Sequence, residues 1–209
     1  MGEMPRIECV ANGPLRVRGL RQLRNSKGQD LPTQEVLALC RCGGSAKKPF
    51  CDGTHRSNGF TSAKVDGCAP DRVDAYVGKH ITVHDNRSVC AHAGRCTDGL
   101  PTTFRQHGEP FVDPDGDEVA KIIAIVNQCP SGALSYTLHD RPAADAPQRA
   151  PMILVTPGPY AVMGGIQIDQ AQNAGASSEH FTLCRCGGSK NKPLCDGTHW
   201  SIGFMDDKN

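Results

Sequence analysis

The chain contains a sixteen-residue segment that occurs twice. Residues 40–55 read CRCGGSAKKPFCDGTH and residues 184–199 read CRCGGSKNKPLCDGTH, so only three positions differ. The similarity extends outward, because Gly13-Pro14 in the first copy corresponds to Gly158-Pro159 in the second. A long internal match of this kind indicates two copies of one structural module. The residues between the copies resemble neither of them and form a separate central segment.

The repeat divides the chain into three predicted domains. We expect the first module to occupy residues 5–61, the central segment residues 72–140 and the second module residues 151–205. With 23 Gly and 15 Pro among 209 residues, each domain has a thin hydrophobic core. Small domains with thin cores usually need a further constraint, such as a bound metal.

Each module begins with an alternating apolar pattern that predicts a β-strand. Leu15 and Val17 in the first copy, and Tyr160 and Val162 in the second, lie two residues apart directly after a Gly-Pro turn. A second predicted strand then leads into the cysteine-rich loop. These second strands are residues 36–39 and 181–183.

The central segment has the pattern of a small α+β domain. Residues 81–83 are rich in β-branched side chains and favour a strand. The apolar residues of the segment 119–126 recur with the i, i+3, i+4, i+7 spacing of one helix face. Residues 133–138 predict a strand that completes the domain.

Three cysteines and one histidine recur in each module with the spacing C-x-C-x8-C-x3-H. Thiolates and imidazole bind both zinc and iron, so a tetrahedral zinc site and an iron–sulfur cluster are both compatible with this set. Zinc sites more often use C-x2-4-C pairs, whereas C-x-C suits two sulfurs on one iron. The candidate ligands are Cys40, Cys42, Cys51 and His55 in the first module, and Cys184, Cys186, Cys195 and His199 in the second.

The cysteine count favours metal binding over disulfides. The chain has 11 cysteines, an odd number that fits a complete disulfide framework poorly. No signal peptide or apolar stretch long enough for a membrane span is visible, so we expect a cytoplasmic protein. In that compartment thiols stay reduced, and clustered cysteines usually bind metal or take part in catalysis.

The repeated segment resembles the signature of CDGSH iron–sulfur domains, with threonine at the Ser/Thr position of that motif. The resemblance implies a [2Fe–2S] cluster in each module, in which the C-x-C cysteines hold one iron and the third cysteine and the histidine hold the other. It also implies that two modules pair as a pseudo-symmetric β-sandwich, either within one chain or in a homodimer.

A third candidate site lies in the central segment. The run Cys90 to Cys96 reads CAHAGRC and is followed far downstream by Cys129-Pro130, similar to the C-x2-C-x2-C…C-P pattern of bacterial ferredoxins. The segment resembles divergent single-cluster ferredoxin domains, and this resemblance implies a [4Fe–4S] cluster. The predicted fold is therefore α+β, with two small β-rich modules flanking a ferredoxin-like domain.

The central motif differs from the ferredoxin pattern at one ligand position. Ala93 stands where the middle cysteine of the run would be, so one iron has no cysteine from the motif. Three outcomes remain open: a [3Fe–4S] cluster, a fourth ligand from His92 or Cys68, or a labile fourth iron open to solvent or substrate.

We expect an electron-transfer protein and no enzyme, because no hydrolase, Walker or dinucleotide motif accompanies the ligand sets. The expected partner is a redox protein or an apo iron–sulfur acceptor. A net charge of +1 argues against nucleic acid as a partner, and the longest apolar run, 122–126, is too short for a bilayer. Iron–sulfur storage or transfer, and a zinc-binding structural adaptor, are the alternative functions.

Overall fold

The computed structural model describes residues 3–139, 149–170, 173 and 176–206 of the chain. These residues form a mixed α+β structure, which confirms the predicted fold class. The boundaries 5–61, 72–140 and 151–205 stay predictions, and residue 140 lies outside the described residues together with most of the linker that follows it.

The first module contains four short strands. β2 and β4 coincide with the two strands predicted from the apolar patterns and pair antiparallel, so that Leu15 lies opposite Leu39. The alternation in β2 points Leu15 and Val17 into the interior, where both are buried. The strands are β1 (Arg6–Cys9), β2 (Leu15–Arg18), β3 (Leu23–Asn25) and β4 (Val36–Leu39).

The central domain is a three-stranded antiparallel sheet with two short helices. β6 lies in the middle of the sheet and pairs with both β5 and β7. α2 covers the predicted helical segment, and its Ile122 and Val126 are buried. Among the described residues, no helix has the length and apolar character needed to cross a bilayer. The elements are β5 (Asp74–Val77), β6 (Ile81–Asp85), α1 (Arg95–Gly99), α2 (Val119–Val126) and β7 (Leu134–Leu138).

The second module repeats the strand order of the first. β9 and β11 include the residues predicted as strands and pair antiparallel. A short helix, α3, begins at Thr198 immediately after the third cysteine loop, where the first module has a single 3-10 turn over Thr54–Arg56. The elements are β8 (Met152–Val155), β9 (Tyr160–Met163), β10 (Gln167–Ile168), β11 (His180–Leu183) and α3 (Thr198–Ser201).

Each module gives one short strand to the sheet of the other. β3 pairs in parallel with β8, so that Leu23 lies opposite Ile153, and β10 pairs in parallel with β1, so that Arg6 lies opposite Gln167. The two sheets therefore have the strand orders β10-β1-β2-β4 and β11-β9-β8-β3. Backbone hydrogen bonds join the modules directly, and the pseudo-symmetric sandwich stays a prediction.

A single cluster of buried apolar residues connects the three parts of the chain. It includes Val17 from the first module, Ile122 from the central domain and Val162 from the second module. Cys9 is buried in the same cluster, where it packs as a small apolar residue. Apolar burial, together with the exchanged strands, fixes the positions of the cysteine-rich loops.

Tyr160 forms a polar contact between the two modules. Its side chain is 0% exposed, and its hydroxyl lies 2.8 Å from the carbonyl oxygen of Cys40 and 3.0 Å from that of Pro49. Burial raises the pKa of Tyr160 well above its usual range, so the hydroxyl stays protonated and donates. The second module thereby holds the backbone of a candidate ligand in the first.

Replacing Tyr160 by Phe should destabilise the holo protein, because it removes the donor of a buried hydrogen bond and keeps the ring. We expect a loss of about 1–2 kcal/mol in the free energy of unfolding, measured by urea denaturation. The control is Tyr136→Phe, at a half-buried position of β7, which should change stability less. Equal effects of the two variants would contradict the assigned role of Tyr160.

Candidate metal centres

The two cysteines of each C-x-C pair lie side by side. Cys40 Sγ is 3.7 Å from Cys42 Sγ, and Cys184 Sγ is 3.7 Å from Cys186 Sγ. Two sulfurs bound to one tetrahedral metal ion through bonds of about 2.3 Å are about 3.8 Å apart. Each C-x-C pair therefore has the separation needed to bind one metal ion.

The third cysteine and the histidine form a second pair in each module. Cys51 Sγ lies 3.4 Å from His55 Nδ1, and Cys195 Sγ lies 3.5 Å from His199 Nδ1. A sulfur and a nitrogen on one tetrahedral metal ion are about 3.5 Å apart. Nδ1 is therefore the ring nitrogen placed to bind a metal beside the cysteine.

The eight candidate ligands are arranged in pairs. Within the part of the chain that the structure describes, no three His, Cys, Asp or Glu side chains converge on a single ion position. Three thiolates and one imidazole are donors suited to iron or zinc. The residues present therefore fit a group that contains two metal ions, one bound by each pair.

Ser and Asp side chains fix the loop that separates the two pairs. Ser45 Oγ donates to the carbonyl oxygen of Phe50 at 2.7 Å, and Asp52 Oδ2 accepts from the Ala46 N–H at 2.8 Å. The second module has the same two hydrogen bonds, and Ser189 is the serine that corresponds to Ser45. The conformation of the loop therefore explains why Ser and Asp recur in both copies.

The arginine between the two cysteines of each C-x-C pair holds that loop by hydrogen bonds to backbone carbonyl groups. The sequence did not indicate this role. The Arg41 side chain is buried and donates to the carbonyl oxygens of Gly13 at 2.8 Å and Val10 at 2.7 Å. Arg185 is likewise buried and donates to the carbonyl oxygen of Gly158 at 3.3 Å. The repeated Gly-Pro turn was the available signal, since its glycine supplies one of the acceptors in each module.

The two C-x-C loops meet each other. The backbones of Cys42 and Cys186 pair in an isolated antiparallel β-bridge. Gly43 has a φ of 76°, and a Cβ placed there would lie 2.5 Å from the carbonyl oxygen of Cys186. Gly187, with a φ of 80°, would contact the carbonyl oxygen of Cys42 at 2.8 Å in the same way. Only glycine combines this left-handed backbone with so close an approach.

The pKa values of the candidate ligand thiols are shifted in different directions. Burial raises the pKa of Cys40 and, more strongly, that of Cys195. Hydrogen bonding with Cys184 lowers the pKa of Cys186, and the Gly188 N–H adds to this effect. Metal ligands must be thiolates, so metal binding at the buried cysteines displaces protons and weakens as the pH falls.

The three central cysteines share one cavity. Cys90, Cys96 and Cys129 all line a cavity of about 690 Å³ between α1 and the turn after α2. Burial raises the pKa of Cys90 to about 11 and also raises that of Cys96. The structure thus brings together the three cysteines that the sequence selected as one site.

The two candidates for a fourth central ligand lie in different places. His92 lines the cavity with the cysteines and has a positive φ of 51°. Cys68 is exposed in the linker before β5 and is not among the residues that line the cavity. The position of His92 favours it over Cys68, and its ligation stays a prediction.

Arg87 is a central-site residue that the sequence reasoning missed. Its guanidinium lies 2.7 Å from the buried carboxylate of Asp85 and 3.7 Å from the centre of the Phe111 ring. Its Nη1 is 4.0 Å from Cys90 Sγ. This fixed positive charge favours the thiolate form of Cys90. No spacing rule points to it, because its role depends on the fold of the cavity.

Comparison with known families identifies the two modules and the central segment. The profile described as "iron-binding zinc finger CDGSH type" matches residues 12–56 and 157–200. The profile described as "divergent 4Fe-4S mono-cluster" matches residues 76–139, between the two CDGSH modules. The chain belongs to the CDGSH iron-binding family. It carries a divergent 4Fe-4S domain as an insertion between two CDGSH modules, as the sequence predicted.

Curated relatives extend the comparison to a part of the chain. They are the uncharacterized protein YjdI of Escherichia coli strain K12 and the protein of the same name in Escherichia coli O157:H7. Each is 38% identical to this chain over 61 residues, which are 29% of this chain and 80% of the relative. No solved structure gave a significant match.

The two CDGSH modules differ in the solvent exposure of their Cys–His pair. In the first module, Cys51 and His55 are both partly exposed. In the second module, Cys195 is 2% and His199 is 4% exposed. An added Cβ at Gly158 would lie 2.6 Å from His199 Nε2, so the backbone of the second module closes over the outer ring nitrogen.

Replacing Gly43 by Ala should destabilise the holo protein more than replacing Gly19 by Ala. Both glycines have a left-handed φ, of 76° and 68°, but a Cβ at Gly19 meets nothing within 4 Å. Because of the contact with Cys186, Gly43→Ala should lose about 1–3 kcal/mol more of the free energy of unfolding than Gly19→Ala. Urea denaturation and iron content measure the difference, and equal losses would show that the loops do not pack as described.

Proposed function

We propose that this protein is an electron-transfer protein with a [2Fe–2S] cluster in each CDGSH module and a [4Fe–4S] or [3Fe–4S] cluster in the central domain. The paired arrangement of the ligands carries the proposal. Cys40 with Cys42, and Cys51 with His55, have the separations of two ligands on one metal, so two irons per module account for all four. A zinc adaptor would bring four ligands to one ion.

His55 and His199 would give each [2Fe–2S] cluster its redox character. A neutral imidazole in place of a thiolate makes the site one charge less negative, so accepting an electron is less costly. The potential should therefore exceed the roughly −400 mV of plant-type ferredoxins. The second ring nitrogen would be the site of proton exchange when the iron is reduced, and exchange should be easier at the partly exposed His55 than at the buried His199.

The central cavity would hold the remaining irons. Cys90, Cys96 and Cys129 supply three thiolates, and His92 is the proposed fourth ligand. Arg87 beside Cys90 partly offsets the negative charge that these thiolates gather. Each Cys–His pair is assigned to metal binding, so we propose a carrier and no enzyme, in a compartment such as the cytoplasm that keeps its thiols reduced.

Purification under anaerobic conditions should give a coloured protein with about eight irons per chain, or about seven if the centre has three irons. Iron, zinc, sulfide and the visible spectrum are measured together on the same sample. A colourless protein with two or three zinc ions per chain would overturn the proposal in favour of a structural adaptor.

Replacing His55 or His199 by Cys should lower the reduction potential of that module, because the thiolate returns a negative charge to the site. The potential should also depend less on pH, since thiolate has no second nitrogen to protonate. Protein-film voltammetry from pH 6 to 9 measures both effects. A potential and a pH slope equal to those of the wild type would contradict the assigned ligation.

The exposure of the first module favours cluster transfer as a second function. Its Cys51 and His55 are open to solvent in part, as release to an acceptor requires. Mixing the holo protein with an apo-ferredoxin distinguishes the two functions. Transfer moves iron and colour to the acceptor, whereas an electron carrier keeps both and only changes its oxidation state.

A further inference from the structure

One of the three differences between the repeated segments is explained by the central domain. Asn191 is 2% exposed, and its Nδ2 donates to the carbonyl oxygen of Ser88 at 2.7 Å. The first module has Lys47 at this position, and that side chain is exposed. Ser88 lies two residues before Cys90, so Asn191 connects the loop of the second CDGSH site to the loop of the central site.

His92 makes a second contact across the same boundary. A Cβ at Gly197 would lie 2.4 Å from His92 Cδ2, whereas a Cβ at Gly53, the corresponding residue of the first module, meets nothing within 4 Å. Both glycines are left-handed, with φ values of 83° and 94°. The two positions therefore differ in whether the central domain covers them.

Trp200 completes the contact. Its Nε1 donates to the carbonyl oxygen of His92 at 3.1 Å, and its ring centre lies 5.0 Å from that of His199. The corresponding residue of the first module is Arg56, which is exposed. One indole thus contacts both a residue that lines the central cavity and a ligand of the second module. We call Asn191, His92, Gly197 and Trp200 the junction.

We propose that the three sites form a linear relay, central site to second CDGSH module to first CDGSH module, in which the junction couples the first two. The second module is then an internal relay site, and the first is the site that exchanges electrons with a partner protein. This inference rests on the proposed electron-transfer function and adds the order of the sites.

The contact between the C-x-C loops provides the next link. The backbones of Cys42 and Cys186 pair in a β-bridge, so the C-x-C loop of the second module lies against that of the first. Beyond that contact only the first module presents its Cys–His pair to solvent, because His199 is buried while His55 is partly exposed. The rate of electron transfer falls steeply with distance, and both contacts shorten the path.

Each step is a transfer of one electron, with no bond made or broken. With iron bound as proposed, Cys90, Cys96 and Cys129 would hold a centre that accepts one electron from a low-potential one-electron protein donor. That electron would pass to an iron of the second module, which would be reduced as the central site is reoxidised, and then in the same way to the first module. The contacts set the order of the three sites, and the relative potentials of the sites set the direction of transfer.

The first test compares the two modules in the fully reduced wild-type holo protein by electron paramagnetic resonance. His55→Cys and His199→Cys assign the two [2Fe–2S] signals, because each substitution shifts the signal of its own module. We expect the second-module signal to be split or to relax faster through its interaction with the central site. An equal interaction in both signals, or a stronger one in the first module, would overturn the relay order.

The second test uses the matched glycines. Gly197→Ala should displace His92, weaken the interaction seen in the second-module signal, and cause a loss of protection from hydrogen exchange at residues 198–202. Gly53→Ala has the same left-handed backbone strain without that contact, and should leave the interaction and the protection unchanged. Equal changes in both variants, or none in Gly197→Ala, would contradict the junction.

A second variant keeps the junction testable if Gly197→Ala does not fold. Asn191→Ala removes the bond to Ser88 without adding volume, with Lys47→Ala as its control, and the same two readouts apply. If the wild type has iron and sulfide but shows no [2Fe–2S] signals, the proposed function itself fails. If both signals are present and behave alike, only the relay order fails.

Discussion

Backbone hydrogen bonding across the exchanged strands is the constraint on which the other features depend. β3 and β10 each add to the sheet of the opposite module, so neither module completes its own sheet. This exchange holds the two C-x-C loops close enough for the backbones of Cys42 and Cys186 to pair in a β-bridge. It also places Tyr160 of one module beneath the Cys40 carbonyl of the other. The geometry of either ligand set therefore depends on both halves of the chain.

The inserted domain adds to the differences between two nearly identical modules. It packs on the second module through Asn191 and Trp200. Local hydrogen bonds within the two cysteine-rich loops remain the same, so the ligand pairs keep the same separations. What changes is solvent access, which governs how charge on the iron is stabilised and which partner can approach. Equivalent ligands thus acquire different environments without any change in the ligands themselves.

The predicted strands at 36–39 and 181–183 and the helix at 119–126 are confirmed. They could be predicted because each has a local apolar pattern. The exchanged strands were not predicted, since β3 and β10 have three and two residues, too few to show alternation. They are strands because the other module supplies their hydrogen-bonding partner. Arg41 was missed for a similar reason, as the carbonyl groups it binds lie near Gly13, distant in sequence.

The sequence by itself determined the three-part organisation, the candidate ligands and the family, because metal ligation requires particular residue types at short, fixed spacings. Those spacings are local, and they survive in both copies. Only the tertiary structure decided that the modules exchange strands, that His92 contacts the Gly197 loop, and that His199 is buried while His55 is not. These features arise from contacts between residues far apart in the chain, and the nearly identical motifs of the two modules contain no information about which one the central domain covers.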